Sequence, residues 1–316
     1  MGWRSVVITQ KAYLSLGNHA LQIQLEADQQ AQVPLEDVTV LLIDHPQVTL
    51  SAQLLSACAV AQIAVITVGM DHHPNGVFLP FLPHSRALKV MRAQLELGLP
   101  MKKQLHQRLI RQKILNQAAL LTGPGQAEAA RRLTRLAASV RSGDPDNAEG
   151  QAAQVYFRSL FAPGFARAQE RFYNAALNYG YAVLRAALAR SLVCYGFLPA
   201  FGLFHRSEQN AFNLADDLIE PYRPLLDRWV WARYPLEPTE ELNREDKAYL
   251  VSLLHQDIML SSHRADDGAC TVLAGIDTTV MSLARIVQGT ATARALALPR
   301  LDKDLPGPTP DDEPDE

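Results

Sequence analysis

The sequence predicts an α+β protein, with a small N-terminal, mainly β domain followed by a large all-α C-terminal domain. Three observations carry this. Before residue 80 the apolar residues fall in short runs rich in Val, Ile and Leu, separated by polar turns, as strands do. Beyond residue 84 they recur at helical spacing over eight successive segments. The length, 316 residues, suits two domains better than one at roughly 150 residues each.

Taken in order, strands are expected at Trp3–Thr9, Ala12–Leu16, Leu21–Leu25 and Val38–Ile43. Gly17-Asn18 offers a tight hairpin connection, since both residues tolerate positive φ. Thr49-Leu50-Ser51 caps a helix over Leu54–Ala61, and Ile63–Val68 reads as another buried strand. Asp71–Pro83, with three prolines and a glycine in thirteen residues, is a linker or strand-bearing loop that closes the first domain at residues 1–83. Helices are expected at Ser85–Leu99, Met101–Leu121, Gln126–Val140, Asn147–Phe161, Ala168–Tyr195, Asn210–Arg233, Asn243–Asp257 and Thr271–Val287. Gly123, Gly143 and Gly196 stand where C-caps would fall, and the helical domain runs over residues 84–298. Residues 299–316 are polar, proline-rich and acidic, with too little apolar surface to offset ordering entropy, and read as a disordered tail.

An apolar share of 48% excludes wholesale disorder. No run of about 20 apolar residues exists to cross a membrane, and Met1–Gln10 lacks the pattern of a secretion signal. Three widely spaced cysteines, Cys58, Cys194 and Cys270, read as buried thiols in a reducing cytosol, so a cytoplasmic protein is expected. The net charge of −3 argues at face value against nucleic acid. Partitioned, the charge says the reverse. Residues 301–316 alone carry −6, which leaves +3 on the body. Residues 84–141 hold twelve Lys and Arg, Lys113 among them, against Glu96 and Glu128. Such a stretch is either a solvated surface or a face that tracks phosphates, with Lys102, Lys103, Arg108, Arg111, Arg131 and Arg132 the candidates for DNA contact.

The candidate chemistry lies in the helical domain. Asp217 and Glu220 stand three apart, one turn from each other on a helix, and two such charges repel unless a cation or basic partner lies between them. His205 precedes them at the end of the apolar run GFLPAFGLFH, and Glu149 falls in a first helical turn, where the helix dipole favours a carboxylate. Each has a bland reading: Glu149 as a cap, His205 as a satisfied histidine, the acidic pair bound to Arg223 or Arg206. Carboxylates with one imidazole suit Mg²⁺ or Mn²⁺ rather than structural zinc. His72-His73 is a weaker candidate, because neighbours on an extended segment point to opposite faces.

Three segments in order carry a further signal: NAEGQAAQVYF around Glu149, ALNYGYAVLRAALARSLVCYGFLPAFGLFHR just past His205, and NLADDLIEPYRPLLD around Glu220. Together, over about 80 residues, they resemble the signature blocks of the CRISPR-associated adaptation integrase, the nuclease that inserts new spacers into the CRISPR array. The resemblance implies that Glu149 and His205 bind metal and that Asp217 and Glu220 form the family's closing acidic pair. Many members carry aspartate at the position of Glu220, and the glutamate resembles the variant found alongside type II effector systems. Glu220 is then a ligand, and Asp217 either a second ligand or a group that orients His205.

The resemblance also implies a Mg²⁺ or Mn²⁺ cofactor and transesterification. The 3′-hydroxyl of a double-stranded fragment attacks the CRISPR repeat DNA, and water in its place cuts DNA. His205 could shuttle a proton instead of binding metal. The implied partners are a second copy of the chain and a second, smaller CRISPR adaptation protein, in one heteromeric complex. Two alternatives stand beside this: a non-catalytic DNA-binding scaffold whose acidic cluster pairs with arginines, and a metal-dependent RNA or nucleotide phosphodiesterase.

Overall fold

The structure, a computed structural model, describes residues 4–301 apart from 26–28, 70–73, 82, 162–164, 166, 168–170, 235–236, 239 and 263–267. His72-His73 and the acidic residues of 302–316 therefore lie outside the described residues. Up to residue 78 the chain forms β1 (Arg4–Ile8), β2 (Ala12–Gly17), β3 (Ala20–Leu25), β4 (Gln30–Pro34), β5 (Val38–Ile43), β6 (Thr49–Leu50), α1 (Ala52–Val60), β7 (Ala64–Val68) and β8 (Pro74–Phe78). One sheet has the order β1-β5-β7-β8, with the first three parallel and β8 antiparallel; the other runs β4-β3-β2-β6. The hairpin turn between β2 and β3 is Asn18-His19, both at positive φ, because Gly17 is already paired with Ala20. The expected Gly17-Asn18 turn is shifted by one residue.

β5 explains how the strand-rich part meets the rest. All six of its residues are buried. Leu41 and Ile43 point into a core shared with β2, β3 and α1, whereas Val40 and Leu42, on the opposite face, join Ile66 in the core of the helical part. The sheet is thus covered on both faces. A buried ion pair, Lys247 to Asp44 at 2.7 Å, and the donation from Arg190 Nε to the Gln62 carbonyl add polar ties across the same boundary.

The helical part contains α2 (Ala87–Leu95), α3 (Leu99–Leu120), α4 (Ala127–Ser139), α5 (Ala148–Leu160), α6 (Phe172–Cys194), α7 (Asn213–Ile219), α8 (Arg223–Arg233), α9 (Arg244–Ser252) and α10 (Val272–Val287). Helix α6 is buried around most of its circumference, and the other helices pack about it. Gly180 within it is required: a Cβ there would stand 2.5 Å from Leu226 of α8. The expected single helix over Asn210–Arg233 is broken by a 3-10 turn, Glu220–Tyr222, because Pro221 has no N–H to continue the α ladder.

The helical part also carries a small sheet, β9 (Asp257–Leu260), β10 (Cys270–Thr271) and β11 (Pro299–Arg300), in the order β10-β9-β11. The all-α expectation for this part is corrected by that sheet. So is the expected start of the tail at Pro299, since β11 pairs with β9 and Leu301 is buried with its N–H on Asn116 Oδ1. All three cysteines are free; Cys58 is buried, and Cys194 and Cys270 are only partly so. Among the described residues no helix is long and apolar enough to cross a membrane.

Candidate active site

Glu149 sits in the first turn of α5, but it is not the cap. Asn147, at φ +52°, accepts from Gly150 N, and the Asp144 carboxylate accepts from Ala148 N at 2.8 Å and Glu149 N at 3.0 Å. With the exposed helix N–H groups satisfied by those two side chains, the Glu149 carboxylate is free to reach outward. It reaches Lys113 of α3, with Oε1 2.5 Å from Nζ. Glu220, at the start of the 3-10 turn, meets the same ammonium at 2.5 Å through Oε2 and accepts from Arg223 Nε at 3.0 Å through Oε1.

Glu220 has side-chain exposure of 10% and Lys113 of 12%, so this is a nearly dry cluster. Burial alone would raise the Glu220 pKa, but Lys113 and Arg223 outweigh it and hold the carboxyl below its usual range. Burial likewise works to lower the Lys113 pKa, and the two glutamates reverse that and raise it. Asn116, one turn along α3, donates to the carbonyls of Pro221 and Pro299 at 2.8 and 2.9 Å. It thereby fixes the turn that carries Glu220.

His205 and Asp217 form the second half of the site. His205 lies on the loop between α6 and α7, and its Nδ1 is 2.8 Å from Asp217 Oδ1. The Asp217 carboxylate also accepts from the backbone N–H groups of Leu203, Phe204 and His205. Both its oxygens are therefore occupied within the loop. The loop can wrap this tightly only because residue 202 is glycine: a Cβ there would lie 2.4 Å from the His205 carbonyl and 2.8 Å from Asp217 Oδ2. The hydrogen bond to Asp217, partly opposed by burial, raises the His205 pKa. In the neutral imidazole an Nδ1–H donated to Asp217 leaves the lone pair on Nε2. Asp216, next to Asp217, turns away to Arg185 at 2.9 Å.

The structure thus brings together Glu149 with Glu220, and His205 with Asp217. Among the described residues no group of three or more His, Cys, Asp or Glu side chains is arranged to hold a metal ion. The carboxylate pair nevertheless fits one: two anionic oxygens from different elements converge on a single cationic point, which Lys113 occupies. His205 feels the charge of Glu220, and His106 feels Glu149, Asp217 and His205.

His106 and Lys113 are the site residues that the sequence reading missed. His106 is buried on α3 with its ring 3.9 Å from that of Phe204, nearly parallel; its Nδ1 has no hydrogen-bond partner among the described residues, and burial lowers its pKa. A signal existed: His106, Lys113 and Asn116 fall on the same helical stripe as Leu109 and Ile110, where polar residues are out of place unless they serve something.

The basic stretch divides in a similar way. Lys113 belongs to the carboxylates and not to the surface. Arg108 is half-buried and donates to the Leu296 carbonyl, and Arg131 pairs with Glu128 at 2.9 Å. Lys103, Arg111 and Arg132 are exposed, and Lys102 is partly so, with no ion pair among the described residues.

The family model described as CRISPR associated protein Cas1 matches residues 5–234. The chain is 44% identical over 302 residues to the CRISPR-associated endonuclease Cas1 of Neisseria meningitidis serogroup C, which covers 95% of this chain and 97% of that protein. Its fold matches a casposase bound to an integration product with a TM-score of 0.72, over 91% of each chain at 16% identity. A chain of a Cas6-RT-Cas1–Cas2 complex matches with a TM-score of 0.70, over 96% of this chain and 36% of that one at 17% identity.

Proposed function

The chain belongs to the CRISPR-associated protein Cas1 family, and we propose that it is a divalent-metal-dependent DNA integrase and endonuclease of CRISPR adaptation. The observation that carries this reading is the convergence of Glu149 and Glu220, from separate elements of the fold, on one cation. A Mg²⁺ or Mn²⁺ ion held by Glu149, Glu220 and His205 Nε2 would polarise the scissile phosphodiester and neutralise charge developing on its oxygens.

The chain's own groups do the rest. Asp217 is a positioning residue that holds the imidazole by Nδ1 and leaves Nε2 for ligation or for the proton of an attacking hydroxyl. The hydroxyl is the 3′ end of a double-stranded fragment, and the strand it attacks is CRISPR repeat DNA. With water in its place the same site cuts DNA. Arg223 stays on Glu220 and keeps that carboxylate charged. Lys102, Lys103, Arg111 and Arg132 supply the accessible part of a DNA-holding face, with Arg108 and Arg131 committed to protein partners. A homodimer that assembles with a smaller adaptation protein suits insertion of both ends of one fragment, and a relative in fold is part of a Cas1–Cas2 complex.

One observation favours a second reading. Both glutamates already have basic partners, which is what a non-catalytic DNA-binding scaffold requires. Strand transfer separates the two. Glu149→Ala and, separately, His205→Ala should reduce Mg²⁺- or Mn²⁺-dependent joining of a short duplex to repeat DNA by at least about 100-fold, with the fold intact by circular dichroism. Undiminished joining in either variant overturns the site, and DNA binding indifferent to divalent ions and to loss of Glu149, with no joining by the wild type, selects the scaffold.

A further inference from the structure

Two cations neutralise the carboxylate pair, and they are held differently. Arg223 is fixed: its Nε donates to Glu220 Oε1 at 3.0 Å and its guanidinium lies 4.5 Å from the centre of the Tyr181 ring. The Lys113 ammonium forms ion pairs only with Glu149 and Glu220 among the described residues, and it sits at the end of a flexible four-carbon stem. Two glutamates, one lysine and one arginine sum to zero charge in a nearly dry site. We propose that Lys113 is an internal placeholder for the divalent ion: its ammonium keeps Glu149 and Glu220 together as a preformed ligand pair in the metal-free protein and yields that position when the ion enters. The inference rests on the reading of Glu149 and Glu220 as metal ligands.

Without a cation between them, two carboxylates on a common point repel strongly in a low-dielectric setting, and the pair would splay. The ammonium removes that repulsion at the cost of competing for the position. A divalent ion carries twice its charge, and Glu149, with 29% of its side chain exposed, marks the side from which the ion arrives. Once Lys113 has left, the cluster of two glutamates, Arg223 and the ion carries a net positive charge, which is the sign that receives a phosphodiester. Lys113 therefore makes the empty site stable and the loaded site harder to reach.

The test uses the full-length protein and Mn²⁺ alone, read by calorimetric titration and by thermal unfolding with and without the ion, at one fixed pH. Lys113→Met should lower the metal-free melting temperature by about 5 °C or more and tighten Mn²⁺ binding by about tenfold, so that Mn²⁺ restores the lost stability. Lys113→Met combined with Glu149→Gln should regain metal-free stability, because a single buried glutamate remains with Arg223, and this arm stands if the single variant does not fold. Unchanged or weaker Mn²⁺ binding in Lys113→Met, while Glu149→Gln alone abolishes binding, overturns the placeholder and leaves the metal site standing. Equal Mn²⁺ binding in wild type and in both single variants overturns the metal site itself. A double variant no more stable than Lys113→Met also overturns the proposal.

Discussion

The two halves of the candidate site are built on opposite plans. The carboxylate half draws Lys113 from α3, Glu149 from α5 and Glu220 from the turn after α7, so its geometry depends on how three distant elements pack. The histidine half is local: one side chain, Asp217, gathers three consecutive backbone N–H groups and the His205 ring within a single loop. The first half is balanced in charge and buried at Lys113 and Glu220, with Glu149 29% exposed, whereas His205 keeps 45% of its side chain exposed. The two halves should therefore fail separately. Damage to helix packing should disturb the glutamates, and damage to the loop should disturb the imidazole.

The largest expected effect is on the loop. Asp217→Asn replaces an acceptor of four hydrogen bonds with a group that brings its own donors, and it should cost about 2–4 kcal/mol of stability and reduce strand transfer by about 100-fold. Mn²⁺ affinity should fall less than joining does, since Glu149 and Glu220 keep their places while His205 loses the group that orients it. Equal losses in joining and in Mn²⁺ affinity would break the separation.

A smaller effect is expected from the opposite side. Asn116→Ala removes the clamp on the Pro221 carbonyl, and it should cost about 2 kcal/mol by denaturant unfolding and about tenfold in strand transfer. His205 should keep its titration in that variant, because its hydrogen bonds lie elsewhere.

The imidazoles sharpen the contrast further. His205, held by Asp217, should titrate above 6.5 and His106, held in the core, below 6.5 in an NMR pH series. A raised folded pKa means that the stability contributed by His205 is fully present below the unfolded value, about 6.5, and is lost as pH rises through the folded one. For His106 the sign is reversed: burial favours its neutral form, so stability falls as pH drops below about 6.5. Replacing His106 by Leu should therefore flatten the acid side of the stability profile, and Asp217→Asn should remove the His205 gain at low pH.

The smallest effects belong to the basic face. Arg111→Ala should lower the salt slope of DNA binding by about one, and Arg131→Ala, already committed to Glu128, should leave it nearly unchanged.

Much of this was legible because it is carried by local pattern. The β-then-α order follows from the change of apolar period near residue 84, and the four residues Glu149, His205, Asp217 and Glu220 stand in motif blocks readable without coordinates. What escaped is long-range or very short. β10 and β11, at two residues each, are too brief for any alternation to register, and β4, reading QAQVP, is too polar. Helix spacing alone carried the expected Asn210–Arg233 helix straight through Pro221, and it gave no hint that Asp217 pairs with His205 while Glu220 pairs with Lys113 and Arg223. Lys113 was counted as one basic residue among twelve, because nothing in a linear sequence brings α3 beside Glu149 and Glu220.

The central claim is that Glu149 and Glu220 form one divalent metal centre completed by His205. Crystals soaked in Mn²⁺ and measured at its absorption edge test it most directly. The account predicts a single strong anomalous peak within about 2.0–2.3 Å of a Glu149 oxygen and a Glu220 oxygen, with His205 Nε2 drawn in as the third ligand. A peak elsewhere, or none between the two glutamates in protein that joins DNA in the same Mn²⁺ concentration, would contradict it.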